Sequence, residues 1–516
     1  MSLVKSTMTI GFFTLLSRIS GFVRDVLMAN LIGASWLSDA FFVAFKLPNF
    51  FRRLFAEGAF NAAFIPSFSA ILTEQGRDAA LKFAGEVMSV LLLVLLVLNA
   101  IFIIFMPWIT PLFAPGFTDT PEKFNLTVAL SQITFPYILF ISLVSLLGGV
   151  LNSMGKFAAP AASPILLNLC MIGGMLWLND ISATPAHALS YAVFIAGVVQ
   201  LAWLVFICLR LEMMPAIYSP RLTTQVKTML LLMAPAALGS GVQQLNLLID
   251  VIIASHIPGA VSYLYYADRI TELPIGMIGV AVGTVLLPML SKQIRSGNLD
   301  EARSSMNRAL ELVLLFGLPC TAALCVIAEP IIRVLYQHGA FTAKDMLETT
   351  PTLIAFTIGL PAFLAVKIFA PGFFANHDTK TPFKIALLCV AINLLFNLVL
   401  VFVFHMAQVG MALATTIAGW VNVGMMAYIL HKRGIFVPDA MLKARLIKML
   451  VASLIMMLAL ALAQPFFADY YAQDVLMKIV ALSSVIAIGM LVYGLAVLLL
   501  QAYDTSMVRK LVRRKR

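Results

Sequence analysis

The sequence predicts an all-α membrane protein that crosses the bilayer many times, and three observations support this fold class. Of the 516 residues, 61% are hydrophobic and only 11% are charged, whereas a soluble domain of this size has about 25% charged residues. Apolar runs such as residues 88–109 reach the ~20 residues that a helix needs to cross a bilayer. The third observation is an internal repeat with a shift of about 224 residues, which is typical of transporters built from two related lobes.

Hydropathy predicts about fourteen transmembrane helices. The first, second, seventh and eighth segments are the least uniform in hydropathy. The segments are 8–32, 36–60, 82–109, 128–151, 158–179, 186–209, 229–255, 262–290, 306–329, 349–373, 382–404, 409–430, 446–465 and 475–501.

The repeat relates six spans to the next six. "LFAPGFT" (112–118) matches "LYQHGAFT" (335–342), Pro136 falls on Pro361, Lys156 on Lys380, and Asn168 near Asn393. An even number of spans in each copy gives both copies the same orientation, which makes the repeat parallel. The chain is therefore predicted to contain an N-terminal lobe (1–222), a C-terminal lobe (223–437) and two extra helices with a basic tail (438–516).

The distribution of Lys and Arg predicts the orientation. The even-numbered loops and both termini hold most of these residues, and the last nine residues include the basic tail "VRKLVRRKR". Positive charge marks the cytoplasmic side, so both termini are expected in the cytoplasm. The tail is interpreted as an orientation signal and an anchor to anionic lipids, not as a nucleic-acid site. The odd-numbered loops hold only Lys123, Arg333, Lys344 and Lys478.

The chain has no recognisable catalytic, metal or cofactor pattern. "GGVLNSMGKF" (148–157) lacks the second Gly and the Ser or Thr that a phosphate-binding loop requires. The five cysteines form no CxxC pair, and the six histidines are scattered, so neither a metal site nor a disulfide framework is indicated. We therefore expect a transporter with no cofactor, and not an enzyme.

Several charged side chains nevertheless fall inside the apolar segments. A charge at the bilayer centre costs roughly 3 kcal/mol on insertion scales, so these groups are expected to face a wet cavity or one another. The cations are Arg18, Arg24, Lys46, Arg52, Arg53, Arg269 and Lys367, and the carboxylates are Asp25, Asp39, Glu57, Asp250, Asp268 and Glu272.

Helical spacing predicts how the charges of the second span are arranged. Asp39, Lys46 and Arg53 are seven residues apart, which places them on one face of a continuous helix. Arg53 and Glu57 are four apart and can form an ion pair. The structural alternative is that Arg52 and Arg53 extend to the headgroups.

The same reasoning applies to the first and eighth spans. Arg18 and Asp25 share a face of the first helix, whereas Arg24 points elsewhere. In the eighth span, Glu272 can reach back to Arg269 or lie beside Asp268. The cations without an obvious local carboxylate are then Arg18 and Arg24 of the first span and Arg52 of the second.

Five motifs resemble those of the MurJ (MviN) family of lipid II flippases, and the resemblance extends over the whole chain. The family lies within the multidrug/oligosaccharidyl-lipid/polysaccharide exporter superfamily. The motifs are "SRISGFVRD" (17–25), "DAFFVAFKLPNFFRRLFAEGAFNAAFIP" (39–66), "QITFPYILFISL" (132–143), "YYADRITELPIGMIGVAVGTVLLP" (265–288) and "KIFAPGFFANHDTKTP" (367–382).

The resemblance implies a function. A flippase of this family moves undecaprenyl-diphosphate-linked disaccharide-pentapeptide from the cytoplasmic to the periplasmic leaflet of the bacterial inner membrane by alternating access. It also implies that the two extra helices shape a groove for the polyprenyl tail, and that some members bind a sodium or chloride ion. Division or cell-wall synthesis proteins are candidate partners. The resemblance suggests diphosphate-binding Arg18, Arg24, Arg52 and Arg269, cavity or gate residues Asp39, Asn49, Arg53, Glu57 and Glu272, and a candidate ion site at Asp250.

Two other functions fit the same fold class. A flippase for another polyprenyl-diphosphate sugar would need the same cations, so that only the family motifs argue against it. A multidrug exporter of the same superfamily would favour acidic and aromatic cavity residues for cationic drugs, and the arginines of the first span count against it.

Overall fold

The computed structural model describes residues 3–53, 58 and 60–503, with only the backbone for residues 3–8, 234–240, 242–243, 280–281 and 284. The described chain is almost entirely helical and contains no β-strand. Its α-helices are α1 (Leu3–Ile32), α2 (Trp36–Phe51), α3 (Phe60–Gln75), α4 (Arg77–Phe113), α5 (Pro121–Thr134), α6 (Tyr137–Ser153), α7 (Ala158–Trp177), α8 (Pro185–Arg210), α9 (Thr224–Ser255), α10 (Ala260–Pro274), α11 (Val280–Arg295), α12 (Leu299–Leu335), α13 (Ala343–Phe374), α14 (Lys380–Leu398), α15 (Ala407–Lys432), α16 (Ala440–Phe467) and α17 (Val475–Leu499).

The all-α class predicted from hydropathy is confirmed, and every predicted span coincides with one helix or an adjacent pair. Ten helical segments in the described part of the chain are long and apolar enough to cross a membrane. The predicted spans outside these ten are the first, second, seventh and eighth, which are the segments with the least uniform hydropathy. The total of fourteen stays a prediction.

Three predicted spans are interrupted. The span predicted over 36–60 ends as an α-helix at Phe51, and a separate helix, α3, extends to Gln75. The span predicted over 128–151 corresponds to α5 and α6, which are separated at Pro136, a residue without an N–H group for a helical hydrogen bond. The span over 262–290 is divided by a π-helical turn, Ile275–Gly279, directly after Pro274.

The chain divides into two compact units. Unit 1 contains residues 1–262 and 339–341, and unit 2 contains residues 263–338 and 342–516. This division follows packing and not the repeat, so the predicted lobe limits stay a prediction.

In unit 1, α1 packs on α7, and α7 packs on α8. A separate apolar core joins α2, α4 and α5, where the rings of Phe102 and Phe135 stack with centroids 4.4 Å apart. Burial of such aromatic rings supplies much of the packing energy within a helical unit. These contacts fix the positions of the helices that hold the candidate site residues of unit 1.

In unit 2, α12 forms the support for the two extra helices. Ile327 of α12 belongs to one buried cluster with Leu460 of α16 and Val485 of α17. The other faces of α16 and α17 expose large apolar side chains, among them Leu458 and Leu491. One face of each extra helix is therefore packed, and the other is apolar and not covered by the residues that the structure describes.

Candidate functional site

Arg24 lies in a buried polar contact between α1 and α7. Its guanidinium donates from Nε and Nη2 to Asp25 Oδ1, at 3.0 and 2.7 Å, and from Nη1 to Asn168 Oδ1 at 2.9 Å. The Asn168 amide nitrogen in turn donates to the Ser17 carbonyl oxygen and to Ser20 Oγ. We call Arg24, Asp25 and Asn168 the α1–α7 clasp, because they connect the two helices through groups that are each at least nine-tenths buried.

The clasp corrects the expectation that Arg24 points away from the nearby carboxylate. Adjacent helical residues diverge by about 100°, yet the long guanidinium arm folds back onto Asp25. A glycine allows the close approach of α7, since a Cβ atom added at Gly21 would lie 3.3 Å from the Asn168 amide nitrogen. Buried charge at this position is thus paired and hydrogen-bonded, as burial requires.

Arg18 is in a different state, although it lies on the same helix about 9 Å before Arg24. Its side chain is half-buried. Within the described residues, the structure shows no hydrogen bond or ion pair to the Arg18 guanidinium. Its N–H donors, which are five in an arginine, are therefore available to a ligand.

Two other predicted site residues meet at the end of α2. Arg52 Nε donates to Asn49 Oδ1 at 2.9 Å, and the Asn49 amide nitrogen donates to the Phe45 carbonyl oxygen. Asn49 is thereby fixed by the backbone and orients the Arg52 guanidinium. The neighbouring Arg53 is exposed. Its predicted partner Glu57 lies outside the described residues, so that this pair stays a prediction.

The predicted common face of Asp39, Lys46 and Arg53 stays a prediction at its far end. α2 stops being α-helical after Phe51, and the seven-residue spacing no longer keeps side chains on one face once the helix changes to π geometry. Burial decreases along the series: Asp39 is buried, Lys46 is half-buried and Arg53 is exposed.

Asp39 is a wholly buried carboxylate at the start of α2. Oδ2 accepts a hydrogen bond from Lys123 Nζ at 2.7 Å and another from the Gly259 amide, while Oδ1 accepts from the amide and the hydroxyl of Ser262. The Lys123 ammonium also lies 3.9 Å from the centre of the Phe117 ring. Four donors match the acceptor capacity of a carboxylate, so that the buried charge is fully compensated.

In unit 2, Arg269 and Glu272 form an ion pair on α10. Arg269 Nη1 lies 2.7 Å from Glu272 Oε2, and the guanidinium lies 4.8 Å from the centre of the Tyr265 ring. The expectation that Glu272 reaches back to Arg269 is confirmed. Both side chains are partly exposed, which leaves them accessible from solvent.

The candidate ion residue Asp250 is half-buried on α9, where the Asn246 amide nitrogen lies 3.4 Å from its Oδ2. A sodium site needs several oxygen ligands, and these two residues supply one carboxylate and one amide oxygen. Within the described part of the chain, no three His, Cys, Asp or Glu side chains lie close enough together to hold a metal ion.

A second charge cluster, with a fully buried carboxylate at its centre, connects α12 and α16 in unit 2. Glu311 is fully buried and forms ion pairs with Arg308 and with Arg445, the latter at 2.9 Å. Arg308 also pairs with Asp439 at 2.5 Å. We call these four residues the α12–α16 cluster. Burial raises the pKa of Asp439, but hydrogen bonds from the Leu442 amide and Arg308 outweigh this effect and lower the pKa below its usual value.

The fold and these sites define a class: a polytopic helical membrane protein with fixed cations inside its apolar helices, which is typical of a transporter for an anionic substrate. A model of the family "Lipid II flippase MurJ" matches residues 28–482. The chain belongs to this family.

Individual relatives agree with the family match. A probable lipid II flippase MurJ of Rhizobium tropici is 42% identical over 100% of this chain and 98% of its own length. A lipid II flippase MurJ of Burkholderia cenocepacia is 37% identical over 85% of this chain and 86% of its own length.

Solved structures support the fold. A lipid II flippase MurJ in an inward closed conformation matches with a TM-score of 0.79 and 29% identity, over 98% of this chain and 100% of that chain. An inward-facing multidrug resistance MATE transporter of the MOP superfamily matches with a TM-score of 0.67 at 13% identity, over 83% of this chain and 98% of that chain. The second likeness concerns the fold alone.

The sequence did not identify Lys123 and Asn168 as members of these sites. Lys123 counted as a loop cation, and the structure instead places it, buried, in the first turn of α5. Its pairing with Asp39 joins residues 84 positions apart, and no local pattern reports such a contact. For Asn168 a signal existed, because its place in the repeat near Asn393 marks a polar residue within an apolar helix.

Proposed function

We propose that this chain carries lipid II, the undecaprenyl-diphosphate-linked disaccharide-pentapeptide, from the cytoplasmic to the periplasmic leaflet, and that its arginines hold the diphosphate. As a member of the MurJ family the chain is a lipid II flippase. The direction, the residues that hold the substrate and the alternating-access cycle are parts of the proposal.

The half-buried guanidinium of Arg18, with its available N–H donors, supports this proposal most strongly. A planar guanidinium offers several N–H donors in a fork that matches phosphate oxygens, and it stays protonated at any physiological pH. A half-buried arginine that forms no hydrogen bond or ion pair with the described residues is costly in a membrane helix. A bound diphosphate would compensate this charge.

Arg24 acts with Arg18 in the proposed site. The clasp fixes the second half of α1 against α7, and α1 in turn holds Arg18. Arg24 contributes its charge and the position of the helix, because its donor groups are already engaged by Asp25 and Asn168. A fixed arrangement of donors binds an anion at a lower entropic cost than a flexible one.

Arg52 and Arg269 are the proposed further ligands. Asn49 orients Arg52, and the Tyr265 ring and Glu272 orient Arg269. Asp39, Arg53, Glu57 and Glu272 are proposed as cavity or gate residues. The bonds of Asp39 to α5 and to the turn before α10 suit a gate, because α2 cannot move away without exchanging them.

The proposed setting is the bacterial inner membrane with both termini in the cytoplasm, and no covalent step or cofactor is needed. The uncovered apolar faces of α16 and α17 support the proposal that these helices contact the polyprenyl tail. A sodium or chloride ion is a candidate ligand, with Asp250 as the candidate cation site, and proteins of cell-wall synthesis or division are candidate partners.

The experiment that tests the function is depletion of the protein in its host, followed by assay of which lipid-linked sugar accumulates in the inner leaflet. Accumulation of lipid II is expected, and expression of the Arg18→Ala variant should not reverse it. Accumulation of a different polyprenyl-diphosphate sugar, with normal lipid II turnover, would contradict the proposed substrate.

A further inference from the structure

Unit 1 contains an apolar cavity of about 670 Å³, within the ~300–1,000 Å³ that ligand sites usually enclose. It lies between the first half of α1, the start of α7 and the end of α8. Phe13 and Leu16 line it from α1, Ala162 and Ile165 from α7, and Ile207 from α8.

The cavity lies directly beside a hydrogen-bonded contact between α1 and α7. Ser17 accepts a hydrogen bond from Asn168 of α7, whereas Leu16, one residue earlier, lines the cavity. Asn168 of the α1–α7 clasp therefore lies close to one end of this space. Beside the first half of α1, none of the side chains that the structure describes fills the cavity.

One cation lies at the rim of the cavity. Lys156 belongs to the turn between α6 and α7. It follows Gly155, whose φ of +76° permits the tight reversal of the polypeptide. Its side chain is exposed, and among the residues that the structure describes it has no hydrogen bond or ion pair. The remaining lining is apolar apart from the hydroxyl of Thr9 and the indole of Trp203, and the indole N–H is already bonded to the Ala159 carbonyl oxygen.

Among the described lining residues, Lys156 is the one cation, and the walls are apolar. This arrangement suits an amphiphile with one negative head and an apolar chain. A lipid chain is as apolar as a leucine side chain, so it gains no hydrophobic free energy by leaving the bilayer. The gain comes from the dispersion contacts between the lipid chain and the walls of the cavity. The preference among lipids then comes from the attraction of Lys156 to a negative headgroup.

We propose that this cavity binds one acyl chain of an anionic phospholipid of the surrounding bilayer, with the lipid phosphate at Lys156. The occupant is a bilayer lipid and not the transported substrate, so the inference goes beyond the proposed function. By filling the cavity between α1 and α7, the acyl chain would support the part of α1 that precedes Arg18.

The test uses the full chain reconstituted in vesicles that contain phosphatidylglycerol with a photoactivatable group at the end of one acyl chain. Mass spectrometry then locates the crosslinks. Labelling is expected on peptides that contain Phe13, Ile165 or Ile207. The Lys156→Ala variant should reduce it about fivefold, the factor expected for one basic residue near an anionic surface.

Cavity filling provides a second test. Ala162→Trp places a large ring in the chamber and should abolish the labelling. Ala202→Trp is the matched control, because residue 202 is exposed on α8 outside the cavity. Lys380→Ala is the control for charge, since Lys380 is an exposed lysine in the position that the repeat predicts for Lys156. Both controls should label like the wild type.

Three results would overturn the proposal. The first is equal labelling by a phosphatidylcholine probe, which would remove the role of the charge. The second is unchanged labelling in both Lys156→Ala and a folded Ala162→Trp variant. The third is displacement of the phospholipid by a photoactivatable polyprenyl diphosphate that labels the same residues, which would make the cavity a site for the substrate tail.

Discussion

The α1–α7 region and the α12–α16 region both hold arginines on long apolar helices, but their charges are balanced differently. In the second region, Arg308 and Arg445 face Glu311 and Asp439, so that two cations meet two carboxylates. In the first, the described residues provide one carboxylate close to Arg18 and Arg24, that of Asp25, and it is bonded to Arg24. An arginine within an apolar helix is thus not in itself a sign of a ligand site.

This difference is the basis for proposing which arginines bind the substrate. A closed and neutral cluster connects helices, and its charges are satisfied without a ligand. An excess cation beside a rigid contact is held in position but not compensated, which is what binding of an anion requires. We therefore propose that the α12–α16 cluster stabilises the fold and that the α1–α7 region binds the substrate.

Arg18→Ala should abolish flipping, because it removes the available fork of donors without disturbing the clasp. The measurement is growth of a strain depleted of its own flippase, together with the amount of the variant in the membrane. Arg18→Lys should retain part of the function, since a point charge keeps the attraction but loses the bidentate geometry.

The control for this prediction is Arg433→Ala. Unlike Arg18, Arg433 forms an ion pair, with Asp378, and it lies at an exposed turn. Normal growth is expected for this variant. Equal growth of the Arg18→Ala and Arg433→Ala strains would contradict the assignment of the α1–α7 region.

Arg24→Lys should be nearly as harmful as Arg24→Ala, in contrast to the pair of substitutions at Arg18. The clasp uses three nitrogens of the guanidinium in two directions, and an ammonium group cannot reach both Asp25 and Asn168 in this way. Asn168→Ala should reduce flipping several-fold without abolishing it, because the charges remain. A Lys variant of Arg24 that functions as well as that of Arg18 would show that the clasp geometry is unimportant.

Glu311→Gln should lower thermal stability while leaving transport per folded molecule close to normal. Removing one member of a buried ion pair costs about 3–5 kcal/mol, since Arg308 and Arg445 then remain without their common partner. The measurement is the unfolding temperature of the purified protein, and a decrease of several degrees is expected.

Asp300→Asn is the control for Glu311→Gln. Asp300 lies on the same helix, α12, and its side chain is 90% exposed. The substitution should leave the unfolding temperature within about one degree of the wild type, as exposed ion pairs contribute little. If Glu311→Gln abolished transport in folded protein, the α12–α16 cluster would have a role beyond stability.

The smallest expected effect concerns the ion pair between Arg433 and Asp378. Burial alone raises the pKa of Asp378, but hydrogen bonds from Thr381 and the Arg433 guanidinium lower it to about 2, against an ordinary value of 3.8. A carboxyl group with a lowered folded-state pKa stabilises the protein above the unfolded pKa and loses this contribution as the pH falls through the folded value. The contribution should therefore be constant from pH 7 to about 5 and decrease below pH 3.8.

The check is the difference in unfolding temperature between the wild type and Asp378→Asn across this pH range. We expect a small difference, roughly 0.2–1 kcal/mol for an exposed pair, which shrinks in acid. A difference that grew as the pH fell from 5 to 3 would contradict the sign of the pKa shift.

Much of the fold could be predicted from the sequence. Hydropathy alone places a helix at every predicted span, because apolar length and helical hydrogen bonding are both required within a bilayer. The breaks at Pro136 and Pro274 were not predicted, although both residues are visible in the sequence. Hydropathy averages over a window and does not detect a local change in backbone geometry. α3 was also missed, since its 16 residues are too few to span the membrane.

The candidate site was predictable only as a set of residue types. Helical spacing reports which side chains share a face, but it does not report what lies opposite. The partner of Asp39 is on α5 and that of Arg24 is in part on α7, and these contacts depend on tertiary packing. The sequence therefore identified Arg18 and Arg24 alike, whereas the structure distinguishes them.

Direct contact between Arg18 and the diphosphate is tested most directly by equilibrium binding. The measurement uses undecaprenyl diphosphate and the purified full chain. One charge-assisted hydrogen-bonded contact is worth about 1.5–3 kcal/mol, so Arg18→Ala should weaken binding by roughly 10- to 150-fold. Arg18→Lys should weaken it less, and Arg433→Ala should leave it unchanged. An affinity of the Arg18→Ala variant within twofold of the wild type would contradict the claim.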